Sequence, residues 1–183
     1  MKKIISAALL TLAVGGASAQ AYVGGAIGVT NANIACAGTT KCDKTDTGFK
    51  LYGGYTVTEG FAVEAGYLDL GQNTASVGVV NLDFKTQAVF LAGAARGEFT
   101  PELGGTLRLG VAGVKTSGRA GAASIGTVVS DSDTKYKAYV GLALDYAFTK
   151  NVKGVVAADF TTAEVADEAM AVRMFSIGAQ YSF

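Results

Sequence analysis

Along most of the chain, apolar and polar residues alternate with a period of two. The last stretch shows it most simply: Phe175, Ile177, Ala179, Tyr181 and Phe183 interleave with Ser176, Gly178, Gln180 and Ser182. This is the pattern of a strand with one oily and one polar face. Thr134 to Thr149 repeats it, with Tyr136, Ala138, Val140, Leu142, Leu144, Tyr146 and Phe148 against Lys137, Tyr139, Gly141, Ala143, Asp145 and Ala147. Val152 to Thr162, Leu103 to Lys115, Phe61 to Leu70, Thr47 to Thr58 and Ala21 to Thr30 follow the same rule. Asp83 to Gly97 is oily on both faces in its middle, so its facing stays open, and a bulge is one way to resolve it.

The pattern predicts eight strands. Short connections near 58–60, 98–102 and 150–151 alternate with longer polar ones at Asn31–Asp46, Gln72–Leu82 and Thr116–Asp133, and Ala163–Ala169 leads into the last strand. Most strands reach the roughly 9–11 residues that a tilted membrane strand needs. Oily faces rimmed by aromatics, with glycines and charges opposite, predict an all-β fold: an eight-stranded antiparallel up-and-down transmembrane β-barrel. The short turns would lie on the periplasmic side and the longer loops outside. A soluble periplasmic lipocalin-like carrier is the competing architecture. It would reverse the polarity, with an apolar cavity inside and polar groups outside.

The start of the chain changes the compartment. Lys2 and Lys3, an apolar run from Ile4 to Val14 and the small residues Ala17-Ser18-Ala19 read as a cleaved signal peptide over residues 1–19, with Ala21 as the other cleavage point. The barrel domain is then residues 20–183. Without the two leader lysines, the balance of 15 basic and 15 acidic residues becomes slightly acidic, which argues against nucleic acid as a partner. A single proline suits a sheet protein, because proline removes ladder donors. In an exported chain the two cysteines, Cys36 and Cys42, read as a small loop disulfide.

The chain contains no histidine. Ser-His-Asp and Cys-His catalysis are therefore absent, and so is histidine general acid–base chemistry. No zinc spacing occurs, Asp131-Ser132-Asp133 lacks the ligand spacing of a calcium loop, and the glycines near Gly24 form no phosphate loop. The expectation is no enzyme, no metal and no cofactor. What remains is a set of charges on the inward face: Glu64, Arg108, Asp145, Lys153 and Asp159. An eight-stranded barrel is only wide enough for its own side chains, so opposed charges inside it would pair and close the lumen.

The run FKLYGGYTVTEGFAVEAGYLDLG, Phe49 to Gly71, resembles the second hairpin of the OmpA-like eight-stranded outer-membrane β-barrel family. AARGEFTPELGGTLRLGVAG, Ala94 to Gly113, resembles that family's second periplasmic turn and fifth strand, and the chain ends in YSF. The resemblance implies an integral outer-membrane protein in contact with lipid and lipopolysaccharide. It also implies a C-terminal assembly signal, Tyr181 and Phe183, read by the barrel assembly machinery. It brings Arg96 into the inward set and matches Glu64, Arg96 and Asp145 to an interior gate for slow ion passage, with Lys153 as the candidate second basic partner. Lipid-modifying and proteolytic outer-membrane barrels use a histidine, which is missing here. Because the chain stops at Phe183, no peptidoglycan-binding domain is expected. The resulting reading is a monomeric barrel with a structural or surface-interaction role through its loops, whose extracellular partner the loops do not name. A narrow porin-like pore is the alternative.

Overall fold

The computed structural model describes residues 21–32, 41–43, 45–77, 80–122, 129–165 and 168–183. These form β1 (Ala21–Ala32), β2 (Lys41–Asp43), β3 (Thr45–Thr58), β4 (Phe61–Val77), β5 (Val80–Glu98), β6 (Leu103–Ala122), β7 (Val129–Ala147), β8 (Val152–Val165) and β9 (Glu168–Ser182). Every pairing is antiparallel between neighbours, and β4–β5 closes the sheet into a ring. The three-residue β2 continues the line of β3 along β4, so the wall has eight staves. β1 and β9 seal the seam from Tyr22↔Ser182 to Ala32↔Val172. The carrier architecture fails on polarity. Leu142, Leu144, Ile177 and Phe183 are all at least half exposed on the outer wall, while Glu64 and Arg108 are buried inside.

The rim with the short turns is tied together by backbone bonds. The Arg96 amide donates to the Gly60 carbonyl, Ala147 to Glu102, Ser182 to Asn151 and Phe183 to Ala21. Aromatics mark both ends of the oily band. Tyr55, Phe61, Phe99, Tyr146, Phe148, Tyr181 and Phe183 stand near this rim, and Phe49, Tyr136 and Phe175 stand toward the other. On β7 the stretch from Tyr136 to Tyr146 fits the roughly 9–11 residues of a membrane crossing.

The structure settles the facing left open by the sequence. Ala88, Phe90, Ala92 and Ala94 of β5 are buried inside, while Val89 and Leu91 face out. β5 runs along β6 in unbroken register from Val80↔Ala122 to Glu98↔Gly104. The irregularity lies next door in β4, where pairing to β5 shifts between Asp69↔Gln87 and Gln72↔Lys85. Gly71 sits at that shift with φ +79. The Asp46 carboxylate accepts from the Gln72 amide at 2.5 Å, and Asp69 accepts from the Gly71 amide at 3.0 Å.

The expected outer connections are largely ladder. Pairing of β4 with β5 continues to Val77↔Val80, of β6 with β7 to Ala120↔Val129, and of β8 with β9 to Val165↔Glu168. Beyond the membrane both faces of a strand meet water, so the two-residue hydropathy rhythm fades while the backbone still pairs. The leader, residues 1–19, and Cys36 of the expected disulfide lie outside the described residues.

Gly71→Ala is expected to destabilise the barrel by at least about 1–2 kcal/mol, the cost of a left-handed residue with a side chain. A Cβ there would also press on the Asp46 carboxylate. Denaturant titration of the detergent-refolded protein measures the loss.

Candidate functional site: a charge network in the barrel interior

Alternation on eight closed strands sends a set of polar side chains to a space with almost no room for water. Glycine opposite a ring makes part of that room: Gly54 faces Tyr22, Gly24 faces Tyr52 and Gly66 faces Phe90. The charges fall into three groups along the axis.

Nearest the long-stranded end, Lys50 of β3 reaches Asp159 of β8 across the lumen, with Nζ to Oδ1 at 2.6 Å. Lys50 also donates to the Tyr139 hydroxyl at 2.9 Å, and Tyr139 donates to the same Asp159 oxygen. The ammonium lies 5.2 Å from the centre of the Phe90 ring, which stacks on Tyr139 at 4.4 Å. Lys50 and Asp159 are 1 % and 3 % exposed, so each charge depends on the other.

In the middle, Glu64 of β4 is fully buried and held from three sides. Arg108 of β6 donates through Nε at 2.5 Å and Nη2 at 3.3 Å, and the Tyr22 hydroxyl donates at 2.7 Å. Arg96 of β5 stands 3.7 Å from the carboxylate, with its guanidinium carbon 4.0 Å from the centre of the Tyr22 ring. Two-pronged guanidinium–carboxylate contact with a further hydroxyl donor is the arrangement that compensates a buried charge best.

Toward the short-turn rim, Lys153 of β8 donates to Asp145 of β7 at 2.8 Å, and both are partly exposed. They line a polar vestibule of ≈ 610 Å³ together with Arg96, Glu59, Glu98 and Gln180.

All six of the charges expected inside are therefore in the lumen. Glu64, Arg96 and Arg108 come together, Asp145 takes Lys153, and Asp159 takes a residue outside the expected set. That residue is Lys50. Its position on the Tyr52 and Gly54 face was readable from alternation, but its partner lies 109 residues away, and only the register around the closed ring brings them together. Tyr22 and Tyr139, which complete two of the groups, carried no signal beyond facing inward. Among the described residues no group of histidine, cysteine or acidic side chains could hold a metal.

A family model described as the OmpA-like transmembrane domain matches residues 16–183. No curated protein matches the chain in sequence. Solved structures share the fold. Neisserial surface protein A is 17 % identical, with a TM-score of 0.59 over 92 % of this chain and all of that one. Ail, the attachment invasion locus protein of Yersinia pestis, crystallised with the heparin analogue sucrose octasulfate, is 20 % identical, with a TM-score of 0.58 over 90 % of this chain and 99 % of that one. The N-terminal barrel of Pseudomonas aeruginosa OprF is 14 % identical, with a TM-score of 0.55 over 90 % and 98 %.

Lys50→Ala strands the Asp159 carboxylate and is expected to cost about 3–5 kcal/mol, the scale for breaking one side of a buried pair. The double variant Lys50→Met/Asp159→Leu is expected to recover most of that loss. Urea unfolding in detergent micelles, followed by the gel shift between folded and heat-denatured protein, checks both.

Proposed function

The chain belongs to the OmpA-like transmembrane domain family, and on that premise we propose an outer-membrane barrel whose role is structural and surface-interacting, exercised at its extracellular end. One observation carries this reading. The strands β4 to β7 run to 17, 19, 20 and 19 residues, against 12 to 15 for β1, β8 and β9. The excess lies entirely on the rim away from the short turns, as a continuous four-stranded sheet rising above the oily band. Among the described residues, β7 pairs with β8 only from Val140↔Phe160 to Ala147↔Lys153, so no described strand is laddered to the upper part of β7 on that side. Above that point the Ala138 carbonyl is met by the Thr161 hydroxyl at 3.1 Å instead of a strand amide. An unpaired strand edge in water is a template for an incoming extended segment. The interior offers no comparable surface, since the Lys50–Asp159 and Glu64–Arg108 groups fill it.

Export through a cleaved leader over residues 1–19, and assembly through machinery that reads Tyr181 and Phe183, belong to the same proposal, as does a monomeric state. Tyr181 and Phe183 stand outward on the short-turn rim with rings 5.3 Å apart, open to recognition from the membrane side.

A narrow ion-permeable pore is the second reading, favoured by a specific feature. Arg96 Nε, Arg108 Nη1 and Asp159 Oδ2 are buried without a hydrogen-bond partner. Such atoms call for water, and a chain of waters would be the start of a path.

An epitope inserted between residues 125 and 126, in the β6–β7 connection, is expected to be labelled by antibody on intact cells. The same epitope between Lys150 and Asn151 is expected to be labelled only after permeabilisation. The opposite result would overturn the orientation. In planar bilayers the wild-type barrel is expected to give no channel events. Steady conductance that changes in Glu64→Gln would favour the pore.

A further inference from the structure

At the short-turn rim the lumen opens as a vestibule of about 610 Å³, and its charges are layered. Glu98, at the end of β5, and Glu59, in the β3–β4 turn, line its mouth. None of the ion pairs among the described residues includes either of them. Arg96 lies two residues further in than Glu98 on the same face of β5, which separates the two backbones by about 7 Å. Its amide donates to the Gly60 carbonyl at 2.8 Å, so the turn carrying Glu59 is held against the strand carrying Arg96. Opposite Glu98 on the ladder stands Gly104, where a Cβ would come within 2.9 Å of Asp145 Oδ2. The missing side chain keeps this part of the vestibule open.

Arg96 is incompletely paired. The carboxylate it approaches, Glu64, already accepts from Arg108 Nε and Nη2 and from the Tyr22 hydroxyl. Arg96 Nη2 stops 3.7 Å from that carboxylate, beyond hydrogen-bond distance, and Arg96 Nε is buried without a partner. The Tyr22 ring, its centre 4.0 Å from the guanidinium carbon, covers one face of the group. The side chain is still 24 % exposed, on the vestibule side. Lys153, the other cation lining the vestibule, is taken by Asp145 at 2.8 Å. An incompletely paired guanidinium inside and two unpaired carboxylates at the mouth make a site with two poles. A planar guanidinium edge matches a carboxylate, and the mouth matches an ammonium.

We propose that this vestibule binds an extended zwitterion of the ω-amino acid class, a small molecule with a carboxylate at one end and an ammonium at the other. The carboxylate docks on the Arg96 guanidinium, and the ammonium lies between Glu59 and Glu98. Charge selects the ligand. A simple anion is repelled by the two acids at the mouth before it reaches Arg96, and a simple cation that passes them meets Arg96 and Lys153. An α-amino acid holds its two charges too close together to span layers whose backbones are about 7 Å apart. The site is separate from the strand ends invoked above for surface interaction, and in a symmetric solution its occupancy does not depend on the orientation of the barrel.

The isotope-labelled full chain is folded in uncharged maltoside micelles at low ionic strength and titrated with δ-aminovalerate, valerate or pentylamine. The readout is the Nε–Hε resonance of Arg96 in nitrogen–proton correlation spectra, identified by its absence in Arg96→Lys. In the wild type δ-aminovalerate is expected to move this resonance to saturation, with an affinity at least fivefold above that of valerate or pentylamine. Glu59→Gln/Glu98→Gln is expected to lower the affinity for δ-aminovalerate to that for valerate while the folded gel band persists. Lys150→Gln, on the same rim but outside the lining, is expected to leave the preference as it is. A resonance that does not saturate would overturn the site. Equal binding of valerate would reduce it to an anion site, and equal binding of pentylamine to a cation site, and either result would refute the zwitterion. An unchanged affinity in the double glutamine variant would remove the acids from the site, and loss of the preference in Lys150→Gln would reduce the effect to the overall charge of the rim.

Discussion

The structure depends on a prohibition: inside hydrocarbon, no backbone amide or carbonyl can be left without a partner. A sheet meets that condition only by closing, and here closure is achieved by the first and last strands, paired from Tyr22↔Ser182 to Ala32↔Val172. Closing with eight staves fixes the diameter at a width that side chains alone can fill. Everything polar on the inward parity is then committed to a space without bulk water. The charge network follows from the closure, and the lysine and arginine partners of Asp159 and Glu64 are what make the inward face tolerable.

The same reasoning leaves little free space in the lumen. A barrel whose cross-section is occupied by Phe90, Tyr139, Tyr52 and two ion groups has spent its interior on staying folded. Two surfaces remain free to vary without threatening closure: the lipid-facing wall and the strand ends in water. The four long strands, β4 to β7, lie on one side of the rim. The bulge at Gly71 belongs to this side as well. It marks the level at which β3 gives way to β2 in pairing β4, with Asp46 and Asp69 holding the crossing in place.

How far the sequence could be read follows from where its pattern has a physical cause. Lipid on one face and a packed lumen on the other force a two-residue rhythm, so the membrane portions of all eight strands were legible, and with them the inward placing of Glu64, Arg108, Asp145, Lys153 and Asp159. The rhythm weakens in two situations. On β5 the lumen itself is oily, because Phe90 packs on Tyr139 and under Lys50, and alternation then loses its contrast. Above the membrane both faces are wet, and strands continued through segments that read as loops. Pairing was the least legible property. Lys50 and Asp159 sit on strands that are not neighbours, and their contact depends on how far each stave is staggered around the ring, which no local stretch encodes.

The arrangement of the charges also decides how freely the lumen could conduct. Gly141 shows how close the two inner groups lie: a Cβ on it would stand 3.0 Å from Asp159 Oδ1 and 3.1 Å from Arg108 Cδ. An ion crossing the barrel meets both groups almost at once, and each is fully desolvated. Removing one partner of such a pair costs about 3–5 kcal/mol, so each group depends on the other staying in place. The Asp145–Lys153 pair adds little, since water from the vestibule reaches it. The two closely stacked buried pairs therefore occupy the same short stretch of the lumen. Of the buried atoms without a hydrogen-bond partner, Arg108 Nη1 and Asp159 Oδ2 belong to these two pairs, while Arg96, which carries another, lines the vestibule.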